Sequence, residues 1–400
     1  MSHQTLSLKA ARRLILECQG LLKYNPYGKN KRGTAKAVDS LGYVQIDTIS
    51  VVSRAHHHTL WARVPGYQPK MLFSHQATDR TVFEYWSHAA AYLPMHDFRF
   101  SLPRKLSYKN GRKHWYDVDK KVNQYVYERL KAEGPLMSKD FETPKGTSGI
   151  WYNFKPAKIA LNQLFMQGDI MISERRGFQK VFDLTERVVP SGIETTLPNE
   201  FEMACHLIER GIQTQGLIRD KEVSYLRKGM GAVVRNAIKK LVDRGQLIVI
   251  NFKELPGETF YSNAATLTRT PTRIGKKLLH ILCPFDNILI QRQRAIDFFN
   301  FDYKIECYVP EPKRVKGYFS LPVLFGDQFI GQFDAKSDRK MQVFVIKQFH
   351  LEEGVKDWEE FLPTLVEKLW EYAQFCGCKT ILVEQTFPRE FREVLIKGIR

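Results

Sequence analysis

One phrase occurs twice in this chain, and the repeat constrains its architecture more than any other feature. Ala160-Leu-Asn-Gln-Leu-Phe-Met-Gln-Gly168 runs into Asp169-Ile-Met-Ile172, and Ala237-Ile-Lys-Lys-Leu-Val-Asp-Arg-Gly245 runs into Gln246-Leu-Ile-Val-Ile250. In both, Ala and Leu four apart share one helical face. Glycine then ends the helix, because it adopts a left-handed cap without steric cost. A β-rich strand follows at once. Turn-like segments come next, Arg175-Arg-Gly177 and Glu254-Leu-Pro-Gly-Glu258, and then second strands over 180–184 and 259–261. Helix, cap, strand, turn, strand is the winged-helix pattern, whose last helix enters a DNA groove while the hairpin lies along the backbone. Upstream helices are predicted over 136–141 and 201–209. A poorer third copy opens the chain: helices over 8–19 and 35–41, Gly42, and then Tyr43-Val-Gln-Ile-Asp-Thr-Ile-Ser50.

Past residue 278 the pattern changes. Short apolar runs over 279–291, 303–309, 316–324, 328–334 and 341–347, punctuated by Gly and Pro, predict strands of a small antiparallel β-domain. A helix over 356–375, a strand over 380–383 and a short basic helix complete the chain. The expected fold class is α+β. Winged helix 1 with a basic aromatic extension spans 1–132, winged helix 2 spans 133–190 and winged helix 3 spans 191–268. The β-domain spans 269–350, and a C-terminal helix–strand–helix segment spans 351–400.

Charge points to the partner. Lys and Arg number 61 against 43 Asp and Glu, a net charge of +18, which favours a polyanion and most simply nucleic acid. The stretch from Arg99 to Lys131 holds ten basic residues and three acids, with Tyr108, Trp115, Tyr116, Tyr125 and Tyr127 interleaved. Cations neutralise phosphates and aromatic faces stack on bases. The bland reading is a solvated surface with its aromatics turned to the core. No run of about 18 apolar residues argues for a membrane span. The N-terminus has no apolar stretch ending in a cleavage site and reads as mature protein. The six cysteines are scattered, and Cys376-Gly-Cys378 matches neither a zinc knuckle nor a redox pair. A reduced, cytoplasmic, nucleoid-associated monomer is the expectation.

The candidate chemistry lies in the segment after Gly42. On an extended strand, Gln45 and Asp47 share a face while Ile46 points away into the core. An acid in so apolar a run needs a task or a partner. On spacing alone the simplest role is a structural pair capping the next helix. His56-His57-His58, with His88, is the rival feature. Adjacent residues diverge on a strand or a helix, so a triplet seldom serves one metal, and no metal is expected. His56 or His57 is instead a candidate for the DNA-facing cleft, with a plain surface or a buried, hydrogen-bonded histidine as the alternative. Trp86 and His88 are candidates for the wall of a lesion pocket or for core packing. Arg54, Arg175, Arg176, Lys180, Arg227 and Lys228 are phosphate-contact candidates, with ordinary solvated charge as the alternative. Asp286 and Asp334 read as structural. Lys31-Arg-Gly-Thr34 lacks the P-loop frame.

The chain resembles the bacterial YcaQ and AlkZ winged-helix DNA glycosylases. The likeness rests on Leu41-Gly-Tyr-Val-Gln-Ile-Asp-Thr-Ile49, Val52-Ser-Arg-Ala-His-His57 and Phe83-Glu-Tyr-Trp-Ser-His-Ala89. It continues through Pro284-Phe-Asp286, Phe301-Asp-Tyr303, Tyr308-Val-Pro310, Lys313-Arg314, Gly317-Tyr318 and Leu321-Pro-Val-Leu-Phe-Gly-Asp327. The family's signature is Gln, an apolar residue, then Gln or Asp, so Gln45-Ile46-Asp47 is similar to the acidic version of the YcaQ-like branch. The resemblance implies three tandem winged helices and a β-barrel-like domain curved around DNA, with no metal and no organic cofactor. It also implies hydrolysis of the N-glycosidic bond of N7-alkylated purines, including unhooking of interstrand crosslinks, in double-stranded DNA. An N7-alkylpurine is cationic and leaves readily, so no strong general acid is required. A carboxylate can stabilise the oxocarbenium-like sugar and take a proton from the attacking water. Asp47 is therefore the expected base, with Gln45 holding the water or the sugar–phosphate. The alternative is a non-catalytic winged-helix DNA-binding protein or transcription regulator.

Overall fold

A computed structural model describes residues 3–112, 119–141, 156–271, 274 and 278–400. Trp115 and Tyr116 of the basic aromatic stretch lie outside these residues. The chain forms two compact units, one of Met1–Gln68 with Leu207–Arg400 and one of Pro69–His206.

In the first unit the opening and closing copies of the repeated phrase share one core. The helix Leu8–Cys18 starts where the Ser7 hydroxyl accepts from the Ala10 N–H at 3.2 Å. The helix Asn30–Leu41 ends on Gly42, whose φ of 71° is the left-handed cap that the sequence anticipates. The later copy supplies the helix Met230–Asp243 and the antiparallel strands Ile248–Asn251 and Phe260–Ser262. The N-terminal strand His3–Thr5 adds to this sheet in parallel with Ile248–Asn251. Ala11, Leu14 and Ile15 bury against Leu217, Ile250 and Phe260.

The β-region differs from the expected small antiparallel domain. Strands Leu279–Ile281, Ser320–Phe325, Gln328–Asp338, Val343–Leu351 and Thr380–Phe387 form an open row of five in that order. The first four pair antiparallel and the last two parallel, so the sheet is mixed. The C-terminal segment is thus an integral strand of the sheet. Its helix Trp358–Phe375 places Phe361, Leu365, Leu369 and Tyr372 into one core with Phe344 and Ile346. Residues 303–309, expected as a strand, form a loop, and most of 282–291 is turns leading to the helix Arg292–Phe299. The reason is polar. Asp286 accepts from the Ile288 N–H at 3.2 Å and takes both terminal nitrogens of Arg63, pairings that a flat strand cannot offer.

The second unit carries the hairpin Val82–Trp86/Ala90–Pro94 and the three-stranded sheet Leu136–Met137, Gln179–Leu184, Ile170–Arg176. Against that sheet lies the helix Pro156–Gln167, closed by Gly168 at φ 80°. The predicted helix over 136–141 is instead a short strand and the 3-10 turn Ser138–Asp140, because the Asp140 carboxylate accepts the Met137 N–H at 2.7 Å. Several cations of the basic stretch are spoken for internally. Lys109 meets Asp169 at 2.6 Å and Arg129 pairs with Glu133.

Lys105 is the sharpest departure from the solvated-surface reading. It is 3% exposed, and its ammonium lies 3.9, 4.8 and 5.7 Å from the ring centres of Phe98, Tyr85 and Phe83. A side chain at Gly168 would collide with it, the nearest Lys105 carbon being 2.5 Å from a built Cβ. Burial, and then Lys109, lowers its pKa to about 7. Below that value both folded and unfolded chains hold the proton, and the full cost of burying the charge is present. Between about 7 and the unfolded value of ~10.4 only the unfolded chain keeps the proton, so stability rises with pH there. Replacing Lys105 by Met, apolar and of similar reach, is expected to raise the unfolding midpoint at pH 7. The gain should be on the order of a few kcal/mol, and the rise of stability toward alkaline pH should flatten. A midpoint and slope identical to the parent's would show that the buried ammonium costs nothing.

Candidate active site

The strand predicted for the segment after Gly42 is short, covering only Val44–Gln45. Gln45 is buried there, and Asp47 stands beyond it in a loop, half-buried. The two side chains are therefore not ranged along one strand face. What holds Asp47 is a set of bonds to the loop backbone. The Asn287 amide donates to the Tyr43 carbonyl at 3.0 Å and the Leu41 carbonyl at 3.3 Å. Arg54 donates to the Thr48 carbonyl at 3.1 Å. Arg339 reaches the Ser50 carbonyl at 3.1 Å and also that of Val52, and the Ser337 N–H meets the Val51 carbonyl at 2.9 Å. Ile49 anchors the loop on the core under the five-stranded sheet, on which Ile305 and Tyr318 also pack.

Within this frame Asp47 accepts the Ile49 N–H at 2.8 Å through one carboxylate oxygen. That is a turn contact, not the cap of the next helix. Burial raises the Asp47 pKa, and the Ile49 and Thr48 amides and Arg54 offset only part of the rise. A carboxylate so placed is more basic than an ordinary aspartate.

The histidine triplet lies on the helix Ala55–Trp61; the His56 and His57 ring centres lie 4.2 Å apart, and each of the three has its own surroundings. His56 is 2% exposed and lines no open cleft. His57 Nδ1 sits 2.7 Å from the Tyr67 hydroxyl, and burial, then Arg54, lowers its pKa to about 4. His58 bridges the Ile281 carbonyl at 2.9 Å and the Tyr372 hydroxyl at 2.8 Å. His57 and His58 are thus neutral packing groups. Among the described residues no three His, Cys, Asp or Glu side chains gather as a metal site.

Behind the site lies a buried ion pair. Arg63 and Asp286, both side chains fully buried, meet through two bonds of 2.7 and 2.8 Å. Arg63 also donates to the Gln19 carbonyl at 2.8 Å and to the Thr59 carbonyl at 3.2 Å. Burial alone would lower its pKa, but Asp286 more than offsets that. Asp286 is structural, as anticipated. So is Asp334, which accepts the Tyr318 and Phe319 N–H groups at 3.0 Å each.

The remaining candidates separate. Arg54 holds the Asp47 loop by its carbonyl bond. Arg227 is half-buried and donates to the Tyr225 carbonyl at 3.3 Å, while Lys228 is exposed. Arg176 is exposed beside Glu174. Arg175 has an internal partner instead of a phosphate: it binds Glu84 through two bonds of 2.6 and 2.7 Å and the Phe178 carbonyl at 2.9 Å. Both Arg175 and Glu84 are nearly buried, and the pair ties the strand Ile170–Arg176 to the strand Val82–Trp86. Lys180 is half-buried, its ammonium 5.4 Å from the Phe165 ring centre, with a pKa lowered by burial. Trp86 ends a strand under the Arg104 guanidinium, 5.2 Å away. His88 occupies the hairpin tip, closed by the Ser87 N–H on the Ala89 carbonyl at 2.9 Å, so it does not continue the strand face of Trp86. Sequence reasoning missed Asn287 and Arg339, whose only local signal is that Asn287 follows the Pro284-Phe-Asp286 motif.

Comparison with known proteins places this chain among the DNA glycosylases. A family model described as DNA glycosylase AlkZ-like matches residues 38–375, and the chain belongs to that family. The Streptomyces sahachiroi DNA glycosylase AlkZ is similar in fold, with a TM-score of 0.62 at 12% identity, covering 96% of this chain and 100% of that one. The mixed α+β architecture is thus the one AlkZ has. Among the described residues no helix is long and apolar enough to cross a membrane.

Proposed function

We propose that the protein is a monofunctional DNA glycosylase that hydrolyses the N-glycosidic bond of N7-alkylated purines in duplex DNA, including bases joined in interstrand crosslinks. The observation that carries this reading is the Asp47 carboxylate, half-buried, raised in pKa and fixed by a loop whose carbonyls are held by Asn287, Arg54, Arg339 and Ser337, in a chain of a DNA glycosylase family. As the cationic purine departs, positive charge grows on the deoxyribose. Asp47 stabilises that charge and accepts a proton from water attacking the anomeric carbon. Gln45 orients the water or the sugar–phosphate. A lyase step would use an amine as Schiff-base nucleophile, and the segment Tyr43–Ser50 contains no lysine. Neither the base nor the water requires a metal in this scheme. Exposed cations such as Arg176 and Lys228 contact phosphates, and the protein acts as a monomer in the cytoplasm.

Incubation with a duplex containing N7-methylguanine, followed by hot alkali, is expected to yield strand breaks at the lesion. Sequence-selective binding without breaks would favour a regulator instead. The rate should also fall on the acid side as Asp47 gains its proton. Because burial raises that pKa, the acid limb should lie above the ordinary aspartate value of ~3.9. A rate–pH profile flat down to pH 4 would remove Asp47 from the base role.

A further inference from the structure

A second element stands at the candidate acid. The loop between Tyr303 and Ser320 is cross-braced by its own side chains. One Glu306 carboxylate oxygen accepts the N–H groups of Val315, Lys316 and Gly317 at 2.8, 2.9 and 3.1 Å. Arg314 donates to the Val309 carbonyl at 2.8 Å and covers the Tyr318 ring at 4.9 Å. The Tyr303 hydroxyl donates to the Ser320 carbonyl at 2.7 Å. From this braced loop Tyr308 projects with 81% of its surface exposed, the most exposed large apolar side chain among the described residues. Aromatic rings usually contribute through burial, so a ring displayed on an ordered loop is placed for a ligand.

The ligand follows from the neighbour. Ile49 and Ile305, close in sequence to Asp47 and Tyr308, pack on one core; burial and then the Asp47 charge raise the Cys307 pKa, and Cys307, burial and then Asp47 raise that of Tyr308. The Tyr308 phenol is therefore neutral at physiological pH, with its electron-rich face intact. Lys313 and Lys304, both exposed and the latter 2.9 Å from Asp302, flank the tip and suit phosphates.

We propose that Tyr308 is the stacking platform for the damaged base, selecting cationic N7-alkylpurines by the attraction of a charged ring to its face while Asp47 addresses the sugar. This rests on the glycosylase reading above. A cation over an aromatic face gains more than a neutral ring does, so the platform discriminates charged from uncharged bases. A simple wedge filling the space beside a displaced nucleotide would show no such dependence.

Binding to a non-cleavable duplex separates the two ideas. A 2′-fluoroarabinosyl N7-methylguanosine keeps the base charge and resists hydrolysis, and the matching 2′-fluoro guanosine duplex is the uncharged control. The parent is expected to prefer the charged duplex. Tyr308→Ala and Tyr308→Leu should each lose about tenfold of that preference, with binding to the control unchanged, while Tyr308→Phe retains it. A preference untouched in Tyr308→Ala, or kept in Tyr308→Leu, overturns the proposal. The glycosylase reading is judged separately, by alkali-labile breaks from the parent on the cleavable duplex, so either can fail without the other.

Discussion

Asp47→Asn is expected to lower single-turnover release of N7-methylguanine by about 10²- to 10⁴-fold, with the fold intact and duplex binding equal to or slightly tighter than the parent's. The amide is nearly isosteric, and its carbonyl oxygen can still accept the Ile49 N–H now bound at 2.8 Å. What disappears is the negative charge and the capacity to take a proton. Both effects act in the transition state alone, so the loss falls on the chemical step. Losing an anion beside a polyanion does not weaken association and explains the direction expected for binding. Single-turnover excision with enzyme in excess, alongside fluorescence anisotropy on the same duplex, measures the two quantities independently. A variant that excises within tenfold of the parent would show that the base is another group.

Asp286→Asn should destabilise the first unit by about 3–5 kcal/mol, although Asp286 touches no substrate in the proposed chemistry. The substitution leaves the fully buried Arg63 guanidinium without its counter-charge, in a place water does not reach. The adjacent Asn287 holds the Leu41 and Tyr43 carbonyls, so displacement of this turn also loosens the acid loop. Excision should fall together with the urea midpoint. The paired replacement Arg63→Met with Asp286→Leu removes both charges and should recover much of the stability, because an apolar pair of similar volume avoids the desolvation cost. A single Asp286→Asn variant whose midpoint matches the parent's would mean that the pair is not holding this scaffold.

Local signals in the chain were legible for local reasons. Gly42, Gly168 and Gly245 take left-handed φ values of 71°, 80° and 70° at the ends of their helices, where the repeated phrase puts them. Gln45 and Asp47 were legible as an unusual amide and acid in an apolar run, and the family resemblance supplied their chemistry. The expected shared strand face was not found, because the Ile49 N–H and the Thr48 carbonyl are taken by side chains in place of a neighbouring strand. The strand expected over 279–291 survives only as Leu279–Ile281, and the one expected over 303–309 is a loop. Apolar periodicity cannot report that Asp286 and Glu306 divert the backbone N–H groups around them. Lys105 and Arg175 show the same limit for charge: a cation counts as surface until its neighbours are known.

The amino-acid order by itself determined the helices of the repeated phrase, their glycine ends, the basic balance and the presence of one candidate acid, since each depends on residues within a few positions. Only the tertiary structure decided what that acid experiences. Arg63 and Asp286 stand 223 positions apart, Asn287 and Tyr43 244, and Arg339 and Ser50 289. The burial that raises the Asp47 pKa and the bonds that hold its loop still come from chain segments that meet only once the core beneath them has closed.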